Sequence, residues 1–136
     1  MIIFNQFFIV YAISIPVFII IDLLWLGVIA KPFYQTRLSH LLGDVNWVAT
    51  IIFYLVFLLG LTFFAIYPTV ARGTMMTGLI LGGLFGFFTY ATYDLTNWAT
   101  LRGWPVSVVV FDMLWGTLLG AAVTAITYLL HLKIFS

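Results

Sequence analysis

The chain reads as an all-α membrane protein: four transmembrane helices in an up-down bundle, with a short interfacial helix after the first span. Three observations predict this. Of 136 residues, 65% are hydrophobic and only 7% are charged, whereas a soluble domain carries roughly a quarter charged residues. The mean hydropathy is +1.22. The apolar residues also fall into four runs, each long enough to cross a hydrocarbon core about 30 Å thick. The connections between them are short, so residues 1–136 are expected to form a single polytopic membrane domain.

The same composition excludes several function classes. Cysteine is absent, which removes disulfides, thiolate metal sites, iron–sulfur clusters and thiol nucleophiles. The net charge of +1 offers no field for nucleic acid, so the expected surroundings are a lipid bilayer and no nucleic acid. All four carboxylates are aspartates: Asp22, Asp44, Asp94 and Asp112.

The first span is expected over residues 7–29, about 34 Å at 1.5 Å per residue. It contains Pro16, a kink site that neighbouring helices in a bundle accommodate. Without a basic n-region, and running well past a normal h-region, it reads as a retained helix and not a cleaved signal. The longest connection follows. Pro32 suits the first turn of a helix, and Phe33, Arg37, Leu38, Leu41 and Leu42 give a partly amphipathic face, so a short helix is expected in the interface. Gly43 would end it, and Asp44 and Asn46 are natural N-caps for what comes next.

The second span is expected over 47–70, with Pro68 near its end and Tyr54 and Thr62 as its mildly polar interior groups. The turn through Arg72 and Gly73 makes it an antiparallel neighbour of the third, expected over 75–94. There Gly78, Gly82 and Gly86 recur at intervals that put them on one face. The fourth span, over 106–132, repeats the device with Gly116 and Gly120. In lipid, small residues at this spacing let helices approach closely, so the third and fourth spans are expected to pack along these ridges.

Topology brings the polar groups together. The first and third spans end on the face from which the second and fourth start. Asp22 lies about 10 Å below that face and Asp112 about 9 Å below it, at 1.5 Å per residue. Asp94 ends the third span there, within the long polar stretch Tyr90 to Pro105. Arg102, Asn97 and all five tryptophans share this half. An ionised aspartate deep in a bilayer costs about 2.5–3.5 kcal/mol and needs a partner, a proton or a role. Asp94 shares its helical stripe with Gly86, Tyr90 and Asn97, and Asp112 shares one with Gly116 and Gly120, so both should face the bundle.

The expected pocket is therefore built from Asp22, Asp94, Asp112, Arg102, Asn97, Tyr90, Tyr93, Trp25, Trp98 and Trp115. Asp22 and Asp112 would serve as proton or cation sites, Asp94 and Arg102 as a gate, and the tryptophans as walls. The ligand would be a small amphipathic or cationic molecule, or a proton, bound or moved by a homodimer. Two other readings stand beside this one. The aspartates could be general acid and base of a membrane-embedded enzyme acting on lipid, or the chain could be an accessory subunit of a larger membrane complex. Interhelical hydrogen bonding alone would also account for buried aspartates. No cofactor or metal is expected, since His40 and His131 fall on opposite faces and the carboxylate spacing matches no metal motif; phosphate-loop and nucleophile-elbow signatures are absent too.

Four stretches carry a resemblance: Ile21-Asp22-Leu23-Leu24-Trp25-Leu26-Gly27, Tyr90-Ala91-Thr92-Tyr93-Asp94-Leu95-Thr96-Asn97, Ala99-Thr100-Leu101-Arg102-Gly103-Trp104-Pro105 and Asp112-Met113-Leu114-Trp115-Gly116. With them the chain resembles the bacterial integral membrane family called domain of unknown function 2177. The resemblance implies a small four-span protein of the bacterial inner membrane and brings no activity, cofactor or substrate. Lys31, Arg37 and Arg102 on one face outnumber Arg72 and Lys133 on the other, which favours a cytoplasmic first face and both termini outside.

Overall fold

The structure, a computed structural model, describes residues 2–136, with side chains from Phe4 onward. It is all-helical among these residues, and four helical segments are long and apolar enough to cross a membrane: Phe4–Ile29, Trp47–Arg72, Met75–Thr100 and Val106–Phe135.

Helix α1 (Ile2–Leu24) contains Pro16 and continues into a wider π-helical turn at Trp25–Ile29. Helix α2 (Lys31–Arg37) has Pro32 in its first turn, where the missing amide proton costs nothing. It ends at Arg37, earlier than Gly43. The amides of Leu41 and Leu42 both bond to Leu38 O, and the buried Leu38 anchors a tight turn that replaces further helix.

Helix α3 (Trp47–Leu61) is capped by Asn46, whose side chain accepts from the Ala49 amide at 3.1 Å. A π-helical turn at Thr62–Ile66 joins it to α4 (Tyr67–Arg72). Pro68 cannot donate to the carbonyl one turn earlier, and the widened turn just before it is where such a mismatch is absorbed.

Helix α5 (Met75–Thr100) runs a turn and a half past Asp94, the residue at which the sequence pattern ends the span. The threonines of its polar stretch need no partner outside the helix. Thr92, Thr96 and Thr100 each turn the hydroxyl back to a carbonyl four residues earlier, on Phe88, Thr92 and Thr96, so these side chains satisfy themselves against their own helix. The connection to α6 (Val106–Phe135) is left very short. It turns at Gly103, φ +74°, a backbone region that suits glycine, with His40 lying against it.

Helices α5 and α6 form the tightest pair. A Cβ on Gly86 would overlap Gly116 O, and one on Gly120 would overlap Gly82 O, so the two backbones touch with no room for a side chain between them. The other side of α6 packs on α1, and α3 leans on α1 around a core of Phe18, Phe57, Leu58, Leu61, Leu119 and Val123. The Thr62–Ile66 turn closes the bundle by touching α5 and α6, whereas α3 above it scarcely meets α5. The bundle is thus shut towards the Arg72 end and open-sided towards the Lys31 end.

Gly86→Ala and Gly120→Ala should each lower stability by about 1–3 kcal/mol, the usual cost of overpacking, because the obstacle is a backbone carbonyl that cannot rotate away. Gly27→Ala, where an added Cβ meets open space, should be neutral. Unfolding of the three variants in detergent checks the contrast; equal stability across them contradicts the backbone contact.

Candidate functional site

Burial is the first fact about the three membrane-depth aspartates. Asp22, Asp94 and Asp112 are 3%, 0% and 7% exposed. Burying a charge is costly unless it is paired or hydrogen-bonded, so their partners define the site.

Asp22, on the last turn of α1, accepts a hydrogen bond from Tyr54 Oη of α3 at 2.7 Å, and the Trp115 indole lies beside it. Asp112, one and a half turns into α6, accepts from Tyr34 Oη of α2. Tyr34 Oη in turn accepts from Trp25 Nε1 at 3.4 Å. Burial, together with the bond to Asp112, pushes the Tyr34 phenol well above its ordinary pKa, so it stays a proton donor at physiological pH.

Tyr34 is placed by an aromatic stack. Trp25 lies flat on Trp115, with ring centroids 4.0 Å apart and planes within 4°, and stacks on Phe111 at 5.1 Å. Phe33 packs on Phe111 at 4.1 Å, with the Arg37 guanidinium over the Phe33 ring and Arg37 Nε donating to Ser107 Oγ at 3.1 Å. The π-helical turn at Trp25–Ile29 leads straight into this docking of α2 onto the start of α6.

Asp94 differs from the other two. Neither of its oxygens makes a well-formed hydrogen bond, although the Asp112 carboxyl and the Trp104 indole lie within reach. Trp104 Nε1 is itself buried and unpartnered, and its ring meets Tyr93 edge-on at 5.9 Å. Two carboxyl groups side by side are held together by a shared proton or a cation between them. Among the described residues, no three carboxylate or histidine groups converge as a metal site would require.

A cavity of about 770 Å³ opens above these groups. Asp22, Asp112, Tyr34, Tyr54, Tyr90, Tyr93, Trp104 and Trp115 line its depth, and Lys31 and Gln35 stand at its rim. The chain belongs to the DUF2177 family. Residues 7–129 match that family, described as predicted membrane protein. No curated protein and no solved structure matches the chain.

Of the residues singled out in this DUF2177 chain, Asp22, Asp112, Tyr90, Tyr93 and Trp115 line the cavity, Trp25 supports it through Tyr34, and Asp94 is buried beside Asp112. Asn97 is half-buried near Tyr93. Arg102 and Trp98 do not join them. Both are exposed and outside the lining, because α5 continues to Thr100 and carries Arg102 beyond the fully buried Asp94. Trp104, counted in the sequence with the other tryptophans on this face, is in the lining; the groups missing from the sequence reading are Tyr34 and Tyr54. Tyr34 follows Pro32 on a short helix whose docking onto α6 no local pattern announces. Tyr54 alone had a signal, as a rare polar group in an apolar span at the depth of Asp22.

Tyr34→Phe should destabilise the protein by about 1–3 kcal/mol, because it leaves a buried carboxylate oxygen without its donor. Asp94→Asn should raise the melting temperature, since the amide can donate to Asp112 without the shared proton or cation that two carboxyl groups need. Melting curves in detergent check both signs; a lower midpoint for Asp94→Asn contradicts the reading of Asp94 as a strained group.

Proposed function

We propose that this protein binds a small amphipathic or cationic ligand in the cavity beneath Lys31, with Asp22 and Asp112 as the charged anchors. The observation that carries this reading is the wall itself. Two buried carboxylates face a cavity large enough for a small molecule, and each is oriented by a tyrosine hydroxyl, not neutralised by a lysine or arginine. A hydroxyl orients a carboxylate and leaves its attraction for a cation in place. Concave sites with apolar walls and a few convergent polar groups are the usual form of a ligand site.

In this reading the buried Asp94 is the reserve partner, exchanging a proton with Asp112 as the ligand comes and goes. The setting is a bacterial inner membrane, with the face of Lys31, Arg37 and Arg102 in the cytoplasm and both termini outside. The working unit is a homodimer, since four spans are few for a protein that moves a ligand alone.

Hexylammonium, a short amphipathic cation, tests the reading through intrinsic tryptophan fluorescence, because Trp115 lines the cavity. The parent protein in detergent should respond saturably. Asp22→Asn and Asp112→Asn should each weaken binding at least about tenfold, or ~1.4 kcal/mol, while Arg72→Gln, at the other end of the bundle and outside the lining, should not. If the parent shows no saturable response, or the folded Asp22 and Asp112 variants bind as well as the parent, the reading is wrong.

A further inference from the structure

The aspartate cavity is not a closed chamber. It shares Leu26, Phe53, Tyr90 and Tyr93 with an apolar pocket of about 400 Å³. That pocket reaches Thr89, which also borders a second apolar groove of about 590 Å³ walled by Phe64, Phe85 and Phe88. The first two lie between α3 and α5, and the third continues along α5 beside Phe64, past the Phe57 and Phe85 rings that pack on each other across the gap. From Tyr93 to Leu81 the α5 side of this path measures about 18 Å at 1.5 Å per residue. It runs from the buried carboxylates towards the middle of the membrane and lies open on the lipid side, where Phe53, Phe64 and Phe88 are exposed.

We propose that the ligand is a membrane lipid with a primary-amine headgroup, entering sideways between α3 and α5. This rests on the cation-binding reading of the cavity and names its occupant. A polar, acidic chamber continuous with an apolar trough is shaped for one amphiphile, with head and tail bound in register. The trough accepts an acyl chain and excludes the water that a soluble amine would bring.

The headgroup follows from the chamber's chemistry. An ammonium group brings three N–H donors, and Asp22 and Asp112 present carboxylate oxygens whose own donors, Tyr54 and Tyr34, are phenols. A quaternary ammonium brings no N–H for these oxygens to accept, so it would leave both carboxylates without the hydrogen bonds that a primary amine supplies. An anionic headgroup would meet two buried carboxylates.

The test offers the detergent-solubilised protein an equimolar mixture of phosphatidylethanolamine, phosphatidylcholine and phosphatidylglycerol and reads retained lipid by native mass spectrometry. Phosphatidylethanolamine should be retained about tenfold over each of the others. Thr89→Trp, which fills the trough without touching the chamber, should lower that retention by a similar factor and leave the hexylammonium response intact. Equal retention of all three lipids, preference for either competitor, or full retention by folded Thr89→Trp overturns the proposal. Loss of lipid selectivity with a normal hexylammonium response sinks the lipid assignment alone. No hexylammonium response in the parent sinks the cation-binding reading with it.

Discussion

Backbone contact between α5 and α6 is the constraint on which the rest depends. Without side chains at Gly82, Gly86, Gly116 and Gly120, the two helices meet carbonyl to glycine, and in lipid such contact supplies the packing that a hydrophobic effect cannot. The consequence reaches beyond stability. Helices this close bring Asp94 and Asp112 within reach of each other, so the glycine ridge also creates the most costly arrangement of charge in the molecule. Any added methyl group would push the carboxyl groups apart as well as loosen the bundle.

What tolerates that arrangement is a set of phenols. Tyr54 and Tyr34 reach Asp22 and Asp112 from two different elements, and neither brings a positive charge. A lysine or arginine would have paired with the carboxylate outright, which the cation-binding proposal could not accommodate. The phenol leaves the carboxylate charge free to act on something else. The aromatic stack from Phe33 through Phe111 to Trp25 and Trp115 then serves one end, which is to hold Tyr34 in place over Asp112.

The open side of the bundle follows from a different local feature. The π-helical turn at Thr62–Ile66, just ahead of Pro68, brings the lower half of the second span against α5 and α6, while α3 above it stays with α1. The Phe85 ring lies against Gly60 in the gap. One widened turn therefore separates the half in which the second span packs on α5 and α6 from the half with the aspartate cavity and its lateral trough.

Much of this was determined by sequence alone. The four spans follow from hydropathy, because a bilayer demands continuous apolar length. The glycine ridges follow from their spacing, and the common depth of Asp22, Asp94 and Asp112 from counting residues along alternating helices. Tertiary structure alone decided which groups answer those carboxylates. Tyr34 arrives from a connecting helix whose position depends on docking against Phe111 and Ser107, and Trp104 from a turn set by Gly103; neither carries a periodic signal. Tertiary structure also moved Arg102 out of the site. Helix α5 continues through Asn97 to Thr100, past the residue at which the sequence pattern ends the span, so Arg102 lies beyond the buried Asp94. Periodicity reports which face of a helix is buried; contacts between connections depend on where whole helices come to rest.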